Sequence, residues 1–284
     1  MNFSDLNINR FLLDALDEMG FSTPTPIQEK AFPEIMSGKD LIGIAQTGTG
    51  KTFAYLLPIL RQLTFSKQKH PRILIVVPTR ELVVQVVAEI ESLTPYINVR
   101  FAGVYGGTNL NKQKQLVFEG QDILVATPGR LLDLALDGIL KLKYIQKLVI
   151  DEVDEMMNLG FRPQLITLLD LLPKNRQSIM FSATLTNEVA SILDQFFKSP
   201  IKIEIAASGS PLDTIKQLAY PIPNFYTKVN FLVDLLRDKE TYNKVLVFVK
   251  NKKQNFFISG KESVVIYENK FLEQNGDLDY SCVL

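Results

Sequence analysis

The chain has 284 residues, 46% of them hydrophobic and 22% charged, which fits a soluble globular protein of one large domain or two smaller ones. Lys+Arg and Asp+Glu balance at 31 each, so the overall charge selects no polyanionic partner, and any nucleic-acid surface must be local. A single cysteine, Cys282, excludes an internal disulfide and suits a reducing compartment, so a cytoplasmic location is expected.

The opening "MNFSDLNINRF" contains acids and no apolar core, unlike a signal peptide. No apolar run is long enough to span a membrane. From there, short apolar runs alternate with amphipathic stretches. Strands are expected at 40–45, 72–77, 99–105, 122–126, 147–150, 178–182 and 201–205. Helices are expected between most of them, including 80–92, 129–136 and 186–197. This alternation predicts an α/β fold with a mostly parallel sheet flanked by helices. The small, polar segment "AASGSP" (206–211) reads as a linker, after which "IKQLAYPI", "TKVNFLVDLLRD" and "KVLVFVK" restart the strand–helix pattern. Residues 251–284 show no clear period. The expected organisation is a first domain at 1–205, a linker at 206–215, and a second, incomplete unit at 216–284.

"AQTGTGKT" (45–52) follows one strand run and opens a helical one. It matches the phosphate-binding pattern G-x-x-x-x-G-K-[ST], with Ala45 in place of the first glycine. Gly48 and Gly50 let backbone N–H groups turn inward toward phosphate oxygens. Lys51 places a positive charge near the β- and γ-phosphates, and the Thr52 hydroxyl suits Mg²⁺. Gln46, Thr47 and Thr49 complete the loop. A second acidic strand end, "DEVDE" (151–155), supplies the complement: Asp151 for Mg²⁺ and Glu152 to orient or deprotonate an attacking water. The structural alternative is an acidic strand-to-helix turn, with Glu155 favourable at a helix N-terminus.

Three more strand ends carry loop chemistry. Pro78, Thr79 and Arg80, then Gly106 and Gly107, then Thr127, Pro128, Gly129 and Arg130 fall where an open α/β sheet binds ligands. Their arginines, hydroxyls and backbone N–H groups suit phosphates rather than base edges, which predicts sequence-independent binding. Ser182 and Thr184 are expected either to hydrogen-bond Asp154 or to cap their strand end. His70 reads as a solvated loop residue, and Phe225 and Tyr226 as core.

Taken in order, these segments resemble the DEAD-box ATP-dependent RNA helicases, over residues 1 to about 250. "DEVD" (151–154) is similar to the family's Asp-Glu-Ala-Asp, with Val153 for alanine. "GFSTPTPIQ" (20–28) is similar to its adenine-reading motif, which implies that Phe21 packs on the base and Gln28 bonds its edge. "PTREL", "GG" and "TPGR" resemble its RNA-contact motifs. "SAT" (182–184, including Ala183) resembles the motif that couples hydrolysis to domain movement. The resemblance implies a RecA-like domain using ATP and Mg²⁺, with RNA as partner and Lys51, Asp151 and Glu152 as catalytic residues. It also implies a second RecA-like domain with an arginine motif, H-R-x-G-R-x-G-R. The only histidine here, His70, precedes Pro71, so that motif is not in this sequence. The expectation is therefore an RNA-dependent ATPase and helicase by family, impaired in this chain, or alternatively a nucleotide- and RNA-binding module without turnover. Another P-loop enzyme, such as a DNA helicase, is the remaining rival, because the choice of RNA rests on the resemblance.

Overall fold

Continuous apolar runs such as Ile73–Val76 can be strands only if both faces of their sheet are covered. The computed structural model, which describes residues 1–205, 218–240, 245–249, 264–268 and 281–283, has this arrangement. In chain order the elements are α1 (Arg10–Glu18), α2 (Pro26–Met36), β1 (Leu41–Ile44), α3 (Lys51–Gln62), β2 (Ile73–Val76), α4 (Arg80–Leu93), β3 (Phe101–Val104), α5 (Leu110–Glu119), β4 (Ile123–Ala126), α6 (Pro128–Leu136), β5 (Lys147–Ile150), α7 (Val153–Asn158), α8 (Arg162–Leu171), β6 (Gln177–Ser182), α9 (Asn187–Phe196) and β7 (Ile201–Glu204). All seven expected strands form, most of them trimmed to four residues.

The seven strands make one parallel sheet in the order β3-β4-β2-β5-β6-β1-β7. Alternate residues of the strands β1 to β6 serve different cores, whereas the edge strand β7 turns Lys202 and Glu204 to solvent. Ile73, Ile75, Ile123, Val125, Val149 and Ile179 join one cluster with residues from α1, α2, α3 and α4. Leu74, Val76, Leu124, Ala126, Leu148 and Ile150 join the other, with residues from α6, α7, α8 and α9. Every strand points its carboxyl end the same way, so the loops after β1 to β6 share one edge.

At the opposite end, Asp122 is buried and accepts from Arg72 at 2.9 Å and from Arg100 at 3.0 Å. This ties the starts of β2, β3 and β4 together, and leaves the carboxyl edge free for loops. His70 is not simply solvated: its ring stacks on Tyr144, 4.7 Å between centroids.

A compact unit spans Met1–Ser210 and a second spans Pro211–Leu284. The expected linker at 206–215 and most of the atypical tail lie outside the described residues. Within the second unit, β8 (Ala219–Pro221) pairs antiparallel with β11 (Ser281–Val283), α10 covers Phe225–Leu235, and β9 (Val245–Val249) pairs in parallel with β10 (Val264–Glu268). Tyr226 was expected in the core, but it is 72% exposed on α10. No helix among the described residues is long and apolar enough to cross a membrane.

Gly43 sits on β1, directly before the phosphate-binding loop, and a Cβ there would lie 2.4 Å from the Phe181 ring. Gly43→Ala is expected to destabilise by about 1–3 kcal/mol through overpacking. Phe181→Leu in the same chain should recover part of the loss. Thermal melts of the two variants and the double variant check this; an unchanged Gly43→Ala melt would show that the ring yields freely.

Candidate functional site

The loop after β1 turns on two left-handed glycines, Gly48 at φ 84° and Gly50 at φ 87°, a conformation that side chains with a Cβ rarely adopt. Gly50 is also the N-cap of α3, so the loop delivers Lys51 and Thr52 to the positive end of that helix. Thr49 braces the turn by donating from Oγ1 to the Gln46 carbonyl at 2.7 Å. Gln46 is half-buried and Thr47 exposed.

Lys51 is only 6% exposed, and its ammonium, itself buried, has no hydrogen-bond partner in the protein. Asp151, also 6% exposed, follows β5. Its backbone N–H donates to the Val76 carbonyl at 2.9 Å, which continues the β2–β5 ladder one residue past the strand. Burial pushes the Asp151 carboxyl up to about 6, against the opposing pull of Lys51. Glu152 N–H donates to Asp151 Oδ1 at 2.9 Å. Glu152 itself takes the left-handed conformation, φ 53° and ψ 47°, as the N-cap of α7. A non-glycine residue held this way at a strand end is strained, and its neighbours must hold it there. Burial raises the Glu152 pKa as well, opposed by Lys51. Val153, the departure from alanine, is fully buried in the second core.

β6 lies between β5 and β1, so "SAT" sits between the acids and the phosphate loop. Asp154 Oδ2 accepts from Ala183 N–H at 3.2 Å, Thr184 N–H at 3.0 Å and Thr184 Oγ1 at 3.0 Å. The Ser182 hydroxyl was expected either on Asp154 or capping its strand end. It donates instead to the Thr184 carbonyl at 2.6 Å, and so shapes the turn that presents the other three donors.

Gln28 is buried on the first turn of α2. Its Oε1 accepts from Thr25 N–H at 2.9 Å and its Nε2 donates to the Gly50 carbonyl at 3.0 Å. A Cβ on Gly50 would come within 2.5 Å of that nitrogen, so glycine is required there for space as well as for φ. The amide keeps one N–H and one lone pair uncommitted to these two bonds. Phe21 is exposed and meets Phe53 edge-to-face at 5.6 Å.

The other half of the sheet carries the remaining loops. Thr79 caps α4 by accepting from Leu82 N–H at 3.3 Å, and Pro78 is buried behind it. Arg80 is exposed, its guanidinium 5.1 Å from the centre of the Tyr105 ring. Gly106 and Gly107 are exposed, with Gly107 at φ 77°. Thr127 and Pro128 are buried at the start of α6 and Gly129 is half-exposed. Arg130 departs from the expectation of an outward, phosphate-facing charge. It is 9% exposed, and its guanidinium donates inward to Gln113 Oε1 at 2.6 Å and to the Thr108 carbonyl at 3.1 Å.

A family model described as DEAD/DEAH box helicase matches residues 25–192. The chain belongs to that family. It is 35% identical over 278 residues to the ATP-dependent RNA helicase DeaD of Buchnera aphidicola, which covers 98% of this chain and 45% of that protein. It is 38% identical over 255 residues to the DEAD-box ATP-dependent RNA helicase RhpA of Helicobacter pylori, 89% of this chain and 51% of that one. The crystal structure of a DEAD box protein from the hyperthermophile Methanococcus jannaschii superposes with a TM-score of 0.70 at 32% identity, over 91% of this chain and 69% of that chain. The seven-stranded sheet is thus the RecA-like sheet of this helicase family. The chain spans about half the length of the curated relatives it matches.

Sequence reading missed three residues that the fold brings to this edge. Tyr55 lies one helical turn after Lys51; its buried hydroxyl has no well-formed hydrogen bond, and burial and the nearby Asp151 raise its pKa well above the ordinary value. Its spacing from Lys51 was the available signal. Tyr105 precedes the glycine pair, and Gln113 lies on the buried face of α5 with Val117.

An acid whose folded pKa lies above its unfolded value destabilises the fold when ionised. For Asp151 that cost is present above about pH 6 and is relieved as pH falls toward its ordinary value of 3.8. Without nucleotide, wild type should therefore gain stability relative to Asp151→Asn as pH falls from 7 to about 4.5. The gain should be about 2 kcal/mol, at ~1.4 kcal/mol per pKa unit. Paired melts across that range test it; a flat or falling difference contradicts it.

Proposed function

We propose that this chain binds an adenine nucleotide with Mg²⁺ at the β1–β6–β5 loops and a single strand of RNA across the β2–β4–β3 loops. The whole protein of which such a unit is part would be an ATP-dependent RNA helicase. The observation that carries the nucleotide reading is the buried Lys51 ammonium with no protein acceptor, at a loop whose glycines open the backbone toward a ligand. A buried cation of this kind is costly unless an anion completes it. The donor set also fits Mg²⁺, a hard ion that takes one or two protein oxygens and completes its shell with phosphate and water: the Asp151 carboxylate and the Thr52 hydroxyl supply them. When bound, that ion neutralises charge on the phosphates.

In this reading Gln46, Thr47, Gly48, Thr49, Gly50 and Thr52 cradle the phosphates while Lys51 contacts their outer oxygens. Gln28 reads adenine with the N–H and lone pair it has to spare, the pairing that suits the adenine N6/N7 edge. Phe21 packs on the base. Glu152 takes a proton from the attacking water, or orients it, and its raised pKa makes it a stronger base. Asp154 passes the state of this site to Ala183 and Thr184 through its three bonds. Arg80, Thr79 and the backbone of Gly106, Gly107 and Gly129 meet RNA phosphates. RNA rather than DNA follows from the relatives' names, and a cytoplasmic location from the single cysteine. For the 284 residues by themselves, a second reading is binding with little turnover, because the arginine motif expected to meet the γ-phosphate is not in this sequence.

Titration of a fluorescent ADP analogue tests the nucleotide site. Lys51→Ala should weaken binding ~10-fold or more, the scale of a charge-assisted hydrogen bond. Gln28→Ala should erase the preference for adenine over guanine nucleotides. Equal affinity for both bases in wild type would remove the adenine reading. Phosphate release with and without RNA then separates turnover from binding alone.

The RNA surface is tested by salt. Affinity for unrelated single-stranded oligomers should fall alike as salt rises, with a slope of ~0.7 per phosphate neutralised. Arg80→Ala should lower that slope by about one such unit on every sequence. A loss confined to one sequence would contradict backbone binding.

A further inference from the structure

A single buried amide joins the loops of the proposed strand-binding half of the sheet. Gln113 projects from α5, is 8% exposed, and uses both ends of its side chain. Its Oε1 accepts from Arg130 Nη1 at 2.6 Å. Because a guanidinium only donates, the amide's orientation is dictated, and its nitrogen must face the other way. There Nε2 donates to Thr108 Oγ1 at 2.7 Å and to the Tyr105 carbonyl at 3.3 Å. Thr108 Oγ1 also donates to that Tyr105 carbonyl at 3.1 Å, and the Thr108 carbonyl accepts from Arg130 Nη2 at 3.1 Å. The two ends of the Tyr105–Thr108 turn are thus held from inside, while Gly106 and Gly107 between them stay exposed. Tyr105, gripped by its carbonyl, carries the ring over which Arg80 lies.

We infer that Gln113 and Arg130 are positioning residues for strand binding: Arg130 contacts no phosphate, and acts through Gln113 to hold the glycine turn and, by way of Tyr105, the Arg80 guanidinium in place. This rests on the RNA-binding reading above. The chemistry favours it over an outward Arg130. Besides a 3.7 Å pairing of Nε with Asp133, the guanidinium makes two inward bonds; to reach out to a phosphate it would have to give both up, leaving the Gln113 amide and the Thr108 carbonyl unsatisfied. Preorganised donors, by contrast, bind a flexible strand with less ordering cost.

The test measures single-stranded RNA affinity at several salt concentrations for wild type, Arg80→Ala, Arg130→Met, Gln113→Leu, Gln113→Glu and the Arg130→Met/Gln113→Leu double variant, each held well below its melting temperature. Arg130→Met and Gln113→Leu should each weaken binding ~5–30-fold while keeping the wild-type salt slope. The double variant should be no weaker than the worse single, as expected of one network. Gln113→Glu keeps an acceptor for Arg130 but loses the donations to Thr108 and Tyr105; it should weaken binding too, which separates turn positioning from the mere burial of an unpaired arginine. A slope reduced by ~0.7 in Arg130→Met, as expected for Arg80→Ala, would make Arg130 a phosphate contact and overturn the inference. So would unchanged affinity in Gln113→Leu or Gln113→Glu. Wild type that binds no RNA at any salt would overturn the functional reading, and this inference with it; wild-type binding with silent Gln113 variants overturns this inference alone.

Discussion

A buried ammonium that no protein atom satisfies is the constraint on which the site depends. Lys51 cannot be withdrawn to solvent, because it is the first residue of α3 and the helix is packed behind it by Ala54, Leu56 and Leu57. The Asp151 carboxyl feels its charge but makes no hydrogen bond to it. The unmet charge is thus held in place by the same packing that stabilises the fold. An anion that enters finds N–H groups, a helix terminus and an ammonium already arranged, and has little reorganisation to drive.

The second organising fact is strand order. The phosphate loop, "SAT" and the acids follow β1, β6 and β5, which are neighbours at one side of the sheet; the loops after β2, β4 and β3 are neighbours at the other. β2 and β5 are adjacent, and Asp151 N–H is bonded to the Val76 carbonyl, two residues before Pro78. The two proposed ligand surfaces therefore share a backbone seam through rigid, buried strands.

Glu152 shows how tightly the seam is set. Its left-handed backbone is paid for by flanking order: Asp151 Oδ1 accepts its N–H, Val153 is sunk in the core, and Asp154 is fixed by three donors from the end of β6. With both neighbours pinned, the backbone between them is held in that conformation. The departure of Val153 from alanine fits here without conflict, because its side chain points to the apolar cluster and not toward the acids.

The sequence by itself determined the strands, the α/β class and the phosphate loop, because these are local: apolar runs bounded by turns, and residues within eight positions of one another between Ala45 and Thr52. It also determined the identity of the acids and the family, through the order of short motifs. Only the tertiary structure decided which groups face each other. Gln28 grips Gly50 across 22 residues, Arg130 turns inward to Gln113 across 17, and of the two hydroxyls offered to Asp154 it is Thr184, not Ser182, that takes it. No period or spacing encodes such pairs. An arginine in "TPGR" reads the same whether its guanidinium meets water or a buried amide, and the choice is made by helix α5, which brings the Gln113 acceptor within its reach.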